Sequence, residues 1–368
     1  MGHSVNAKEM IYHALAERLS KAPEGAKING EFMALLHNLY LDGEAKVASK
    51  FPMVPMTLDK IAALTDMEED KLEDMLKDMS YRGLVIDIPR RGEVYYMLTP
   101  FVIGFFEYTF MRTGEAVEMK ELAELFEKYF NSEGLYETIA GKDTKIMRTL
   151  VYENVMPLAV ETEVLDYERA MEIIRQSGGG SISTCSCRHQ ASHLGTACDA
   201  PQEVCISLGR AAKWLISKNL ARPATVGELL EVLEETQKLG LVHLCDNVMD
   251  NPTYICSCCS CCCHLLRGVN EKNIMAFHPS NFIADLEREK CVNCGLCVTK
   301  CPVDAIKMTL VEDVEIPVVN EDLCIGCGVC AHFCPTDAMV MFQRSELHIP
   351  PKDIKEKLKR LAVENKRM

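Results

Sequence analysis

The chain has 368 residues, with 40 Lys and Arg against 54 Asp and Glu, a formal charge of -14, and 48% hydrophobic residues. That length exceeds one ordinary core and predicts several modules, while the acidic balance excludes nonspecific attraction to nucleic acid or an anionic membrane surface as the default. No N-terminal stretch joins a basic segment to a long apolar run, and the most apolar segment, Pro100 to Met111, is interrupted by Glu107, so a cytoplasmic protein with no transmembrane segment is expected.

In Glu31 to Tyr40 the residues Phe32, Leu35, Leu36 and Leu39 recur at helical spacing. Thr57 to Leu64 fits a second helix with Thr57 as its N-cap, and Asp66 followed by Glu69 predicts the cap of a third. Leu72, Met75, Leu76 and Met79 share a face of that third helix, which stops at Gly83. Leu84 to Ile88 and Val94 to Leu98 read as strands joined across Pro89-Arg90-Arg91-Gly92. Three helices and a hairpin are the order of a winged-helix domain, and residues 30 to 100 resemble one. The third helix, Glu68 to Asp78, sets Glu68, Glu69, Asp70, Glu73, Asp74 and Asp78 against Lys71 and Lys77. DNA affinity rests largely on cationic neutralisation of phosphates, so docking to protein or homodimerisation is the expected role, with Arg90 and Arg91 at the wing tip as the counterargument.

Val117 to Phe130 and Tyr167 to Gln176 look helical, Gly178-Gly179-Gly180 marks a joint, and Thr225 with Glu228 caps a helix bearing Leu229, Leu230 and Leu233. The joint lacks the strand, spacing and helix of a dinucleotide site.

All 19 cysteines lie at or beyond Cys185. In a reducing compartment such density favours metal or redox chemistry over disulfides. Cys185, Cys187, Cys198 and Cys205 supply four thiols, and Cys256, Cys258, Cys259, Cys261, Cys262 and Cys263 supply six more. Six thiolates so close repel or oxidise unless a metal neutralises them. Two cubanes with spare thiols, or one larger or non-cubane cluster, are both open. Cys185 and Cys187, like Cys256 and Cys258, are one residue apart and spread ligands poorly around a cubane. One assembly joining both segments is therefore expected. Cys245 reads as a small buried residue, and His189 and His193 as noncoordinating surface histidines. Arg188 either balances cluster charge or is solvated.

Two Cys-x2-Cys-x2-Cys-x3-Cys-Pro runs follow, Cys291 to Pro302 and Cys324 to Pro335. Val303-Asp304-Ala305-Ile306 and Thr336-Asp337-Ala338-Met339 repeat after them, marking an internal duplication. Zinc also accepts Cys-x2-Cys, but two full runs with prolines in register weigh against it. Residues 283 to 342 closely resemble bacterial two-cluster ferredoxins, in which the fourth cysteine of each run ligates the other cluster. The resemblance implies that Cys291, Cys294, Cys297 and Cys334 hold one [4Fe-4S] cluster and that Cys324, Cys327, Cys330 and Cys301 hold a second. The whole order of parts, including Cys185-Ser-Cys187-Arg188 and Cys198-Asp199-Ala200-Pro201, resembles ferredoxin-type iron-sulfur proteins of anaerobes.

The expected architecture is α+β and multidomain. It comprises a winged-helix-like domain (1-115), a helical connector (116-180), a mainly helical cysteine-rich metal-binding region (181-280), a bacterial 2[4Fe-4S] ferredoxin fold (281-345) and a basic helical tail (346-368). The expected function is single-electron relay through two [4Fe-4S] clusters to at least one further iron-sulfur cluster in the middle, as a subunit or partner of an anaerobic oxidoreductase. Rivals are a redox-sensing winged-helix transcription regulator and a reductase acting at the middle cluster. In the tail, Ile354, Leu358 and Leu361 form a helical stripe amid Lys352, Lys355, Lys357, Lys359, Arg360, Lys366 and Arg367, suited either to docking a partner or to packing on the protein itself. Residues 1 to 115 should bind DNA weakly even at low salt, measured by fluorescence anisotropy on labelled duplexes. Salt-sensitive, sequence-selective binding would restore the regulator reading.

Overall fold

A computed structural model describes residues 2–52, 54–113, 119–157 and 166–367. They form two compact units: Met1–Lys142 with His189–Thr196 and Leu358–Met368, and Asp143–Arg188 with Ala197–Lys357.

In the first unit the helices Gly2–Ser20, Gly30–Leu39 and Asp42–Ala48 precede β1 (Met56–Thr57), then come the helices Leu58–Thr65 and Glu69–Tyr81, then β2 (Val85–Arg90) and β3 (Glu93–Leu98). The strands form one sheet in the order β1-β3-β2. Leu72, Leu76 and Met79 are buried, while Glu68, Glu69, Asp70, Asp74 and Asp78 stay exposed. Both lysines of that helix are spent on neighbours: Lys71 lies 2.6 Å from Glu68 and Lys77 lies 3.0 Å from Glu73.

Two local expectations need correction. Asp66 does not open the Glu69–Tyr81 helix; it closes the preceding one in the left-handed conformation at φ 55°, and Glu68 occupies the N-cap position. Asp tolerates that conformation better than most residues. The hairpin turn is tighter than a four-residue link, because β2 runs on to Arg90 and only Arg91 and Gly92, at φ 53° and 85°, make the turn. Two consecutive positive φ values match the twist of the flanking strands, and Pro89 is accommodated because β2 is an edge strand.

The helix expected from Val117 runs over Met119–Phe130, Val117 lying outside the described residues. Its Phe126, Tyr129 and Phe130 meet Phe101, Phe105, Phe106 and Phe110 in an aromatic core, with Phe101 and Tyr129 ring centroids 4.8 Å apart. His189 Nδ1 sits 2.7 Å from the Phe110 carbonyl oxygen, and His193 Nε2 sits 3.2 Å from His189 Nε2. Both histidines thus serve packing in this unit, neither being an exposed surface residue.

The second unit corrects the expectation of a mainly helical middle. It is built on a seven-stranded sheet of β4 (Met147–Leu150), β5 (Gly180–Thr184), β6 (Glu203–Leu208), β7 (Arg222–Ala224), β8 (Val242–Asp246), β9 (Tyr254–Cys258) and β10 (Phe277–His278). Their order is β10-β4-β8-β9-β6-β5-β7, with only β10 and β4 parallel. The strands are short and carry cysteines at pleat positions, so ligand spacing masks their alternation. The helices Ala170–Ser177 and Val226–Lys238 cover one face through Ile173, Ile174, Leu229 and Leu233 against Ile182, Ile206 and Ile255. Cys245 pairs with Ile255 and is fully buried in that core. Gly178-Gly179-Gly180 is the helix-to-strand turn. Gly178 caps the helix at φ 71°, and a Cβ on Gly180 would strike the Ser207 carbonyl oxygen.

Beyond the sheet, β11 (Phe282–Leu286) pairs antiparallel with β14 (Met339–Gln343), and β12 (Ile306–Val311) with β13 (Val314–Val319).

The C-terminal helix Ile354–Glu364 is packed rather than free. In the second unit Lys357 is buried and ion-paired with the fully buried Asp246, its Nζ also donating to the Ile146 carbonyl at 3.3 Å. In the first unit Leu361 is buried and Arg367 donates to the Pro23 carbonyl at 2.6 Å. Removing one partner of a buried ion pair costs about 3–5 kcal/mol. Lys357→Ala should therefore lower the thermal midpoint in circular dichroism markedly, and Asp246→Asn in the same chain should recover part of the loss.

Candidate iron-sulfur and thiolate sites

The two ferredoxin-like runs have matching backbones. Asn293 and Gly326 lie at φ 53° and 68°, Gly295 and Gly328 at 72° and 82°, and Asp304 and Asp337 both at 51°. These left-handed positions turn each loop inward around a hollow. Cys291, Cys294, Cys297 and Cys334 line one partly open pocket together with Leu286 and Met339. Cys301, Cys324, Cys327 and Cys330 line another together with Ile306 and Met341. Each fourth cysteine thus stands with the three of the other run. Backbone amides aim at these outlying sulfurs: Ala305 N–H donates to Cys301 Sγ at 3.3 Å and Ala338 N–H to Cys334 Sγ at 3.2 Å. Such donors stabilise thiolate sulfur. Neither lining contains a carboxylate or an imidazole, so four thiols in an apolar hollow fit a cubane cluster.

Residues 284–341 match the family model of a 4Fe-4S dicluster domain. The C-terminal part is a ferredoxin-type domain. No curated protein and no solved structure matches the chain.

Within this domain the two pockets differ in setting. Cys294 is exposed and Cys291 half-buried, whereas Cys324, Cys327 and Cys330 are all buried. Burial pushes the Cys327 and Cys330 thiols up from their ordinary range. The second loop is pressed against the start of β11 and the chain just before it, where a Cβ on Gly326 would collide with the Phe282 carbonyl and Ser280 Oγ. The first loop has no such wall and admits Asn293.

The ten middle thiols gather where β5 ends, β6 begins and β9 ends. Antiparallel pairing brings those three ends to one edge of the sheet. The thiols do not form one assembly there; they separate into two groups, each drawing on both segments. In the first, Cys187 bonds to Cys263, Cys263 to Cys258, Cys258 to Cys256 and Cys256 to Cys205, with Cys185 near Cys256 and Cys263. In the second, the ligand atoms of Cys198, Cys259, Cys261 and Cys262 all lie within 4.8 Å of one another. The reason is the local backbone. Cys256 and Cys258 leave the same face of β9, and the chain turns at the strand's end, so neighbouring Cys258 and Cys259 part into different groups.

Hydrogen bonding alternates the thiols' acidity. Hydrogen bonds from neighbouring thiols, Cys205 first, hold Cys256 down at about 5, and Cys187 likewise lowers Cys263; the single hydrogen of Cys258 can serve only one of the two at a time. Cys262 together with Arg188 holds Cys259 at about 4. Arg188 is fully buried, which rules out the solvated reading, and its guanidinium donates to Cys259 Sγ at 3.5 Å. Burial works against its charge, but Cys185 and Cys259 outweigh that and raise its pKa.

Two residues without a sequence signal connect the ferredoxin-type domain to this edge. Tyr152 N–H donates to the Cys327 carbonyl at 3.1 Å, and the Tyr152 ring lies 5.2 Å from the His243 ring. His243 pairs across the sheet with Ser257, between Cys256 and Cys258. Burial holds its pKa down at about 3, so the imidazole is neutral at physiological pH, with Nε2 3.0 Å from Thr236 Oγ1. Only folding brings Tyr152 and His243 together.

Gly326→Ala should displace the second loop and lower iron by about four atoms, the content of one cubane, while Asn293→Ala should leave iron content unchanged. Iron and acid-labile sulfide counts on anaerobic protein check both.

Proposed function

We propose that this chain is an iron-sulfur electron-transfer protein, a subunit or partner of a larger oxidoreductase, passing single electrons between an outer cluster, an inner cluster and a site in the middle region. Cys291, Cys294, Cys297 and Cys334 hold the outer [4Fe-4S] cluster, and Cys324, Cys327, Cys330 and Cys301 hold the inner one. Each cluster supplies a one-electron couple. Protein sulfur fills all four positions, which leaves no open iron for substrate. Exposed Cys294 sets the outer pocket at the surface, where a redox partner can approach.

The observation that carries this reading is the Tyr152–His243 bridge. It leads from the loop of Cys327 to His243 of β8, which stands opposite Ser257 on the face of the sheet away from the Cys256 and Cys258 thiols, all within the second unit. The six thiols of Cys185, Cys187, Cys205, Cys256, Cys258 and Cys263 are the natural terminus and would hold an additional iron-sulfur cluster. Hydrogen bonds from neighbouring thiols favour the thiolate form of Cys256 and Cys263.

The first unit serves as a winged-helix-like module for docking or homodimerisation. Its Glu69–Tyr81 helix keeps an acidic outer face with both lysines paired, which disfavours DNA and the regulator reading. No described helix is long and apolar enough to cross a membrane.

Reduced protein should show EPR of two spin-coupled [4Fe-4S] centres and a third feature from the six-thiol group. Cys294→Ser should damage the outer centre alone. Tyr152→Ala should slow reduction of the third feature in stopped-flow experiments while leaving its equilibrium intensity intact. A chain containing zinc and no iron would end the proposal.

A further inference from the structure

The thiols of Cys198, Cys259, Cys261 and Cys262 stand apart from the other groups by their spacing. Cys198 Sγ lies 3.6 Å from Cys259 Sγ and 3.9 Å from Cys262 Sγ, and Cys261 Sγ lies 3.7 Å from Cys262 Sγ. Among the described residues, this is the one group of His, Cys, Asp or Glu whose ligand atoms all fall within 4.8 Å. Tetrahedral geometry sets the distance between two sulfurs on one metal. With metal–sulfur bonds of about 2.3 Å, each tetrahedral edge is about 3.8 Å. A cubane places its four thiolates on four different irons and holds them farther apart, as the ferredoxin pockets do by spreading their thiols around a hollow.

We propose that these four cysteines bind a single thiophilic divalent ion, zinc or ferrous iron, in a closed tetrahedral site separate from the six-thiol group. Three features of the surroundings agree. First, the ligand set is all sulfur, which selects zinc or iron over oxygen-loving cations. Second, four thiolates around a divalent ion leave a double negative charge, and buried Arg188 supplies a compensating guanidinium 3.5 Å from Cys259 Sγ. Third, Arg188 also donates to the Pro201 carbonyl at 2.5 Å and the Ser257 carbonyl at 3.4 Å, fastening the loop after Cys198 to the end of β9. With four protein ligands the ion has no open position. Its work is to pin the two cysteine-bearing segments together beside the six-thiol group.

The test uses the full chain purified anaerobically. Zinc, iron and acid-labile sulfide are counted per chain in wild type, Cys261→Ser and Cys187→Ser; Cys261 is the exposed ligand and the least disruptive to change. Cys261→Ser should lose one equivalent of metal and no sulfide. If the ion is zinc, X-ray absorption at the zinc edge of the wild type should show four sulfurs at about 2.3 Å and no neighbouring metal. If it is iron, Mössbauer spectra should contain a high-spin tetrathiolate ferrous site of one atom per chain. Cys187→Ser should leave this ion in place, so failure of the six-thiol electron site is read separately. Loss of several irons together with sulfide from Cys261→Ser would overturn the proposal, as would a wild type with neither spectroscopic signature. The wild-type spectra decide the matter even if the variant does not fold.

Discussion

Crowded thiolates are the constraint on which the second unit depends. Sulfur anions brought together away from water repel one another, and each must be neutralised by a metal, a hydrogen bond or a cation. Hydrogen bonds and a cation are both in place. The ferredoxin-type loops aim amides of Ala305 and Ala338 at sulfur, the six-thiol group passes hydrogen bonds from one cysteine to the next, and Arg188 lies buried against Cys259. The sheet makes this possible. Its antiparallel order brings three strand ends to one edge, so residues more than fifty positions apart in sequence meet without long loops.

The duplication in the C-terminal domain is symmetric in backbone and asymmetric in surroundings. One loop lies open and tolerates Asn293; its twin is pressed against Ser280 and Phe282 and admits only Gly326. That difference gives two similar thiol quartets distinct positions, one toward solvent and one toward the sheet. Polarity of this kind is what a relay requires. The inner loop also receives Tyr152, whose phenol donates to the Leu241 carbonyl at 2.7 Å, so one side chain fixes both the loop and the approach to His243.

The first unit rests on different physics. Its core is aromatic, with Phe101 in contact with Phe105, Phe126, Tyr129 and Phe130, and its outer helix carries the acidic excess. Burial of rings stabilises the unit. It contains none of the chain's cysteines.

Regular spacing made much of this legible in the sequence. The apolar period of Phe32, Leu35 and Leu36 placed a helix that starts one residue early, at Gly30. The paired runs picked out eight thiols, because their spacing is a local property of the backbone, and the division into quartets followed from the resemblance to two-cluster ferredoxins. What depends on distant pairing was not legible. The seven-stranded sheet was hidden because its strands are short and their pleat positions hold cysteines. The division of the ten middle thiols was also hidden, since Cys258 and Cys259 are neighbours in sequence and are separated only by the turn at the end of β9. Arg188 could be read as solvated or buried until the chain was folded around it. Sequence by itself determined which residues are candidates for the chemistry, through composition and short-range spacing. Tertiary structure alone decided how they are grouped, because sheet register and strand-end turns set which sulfurs meet.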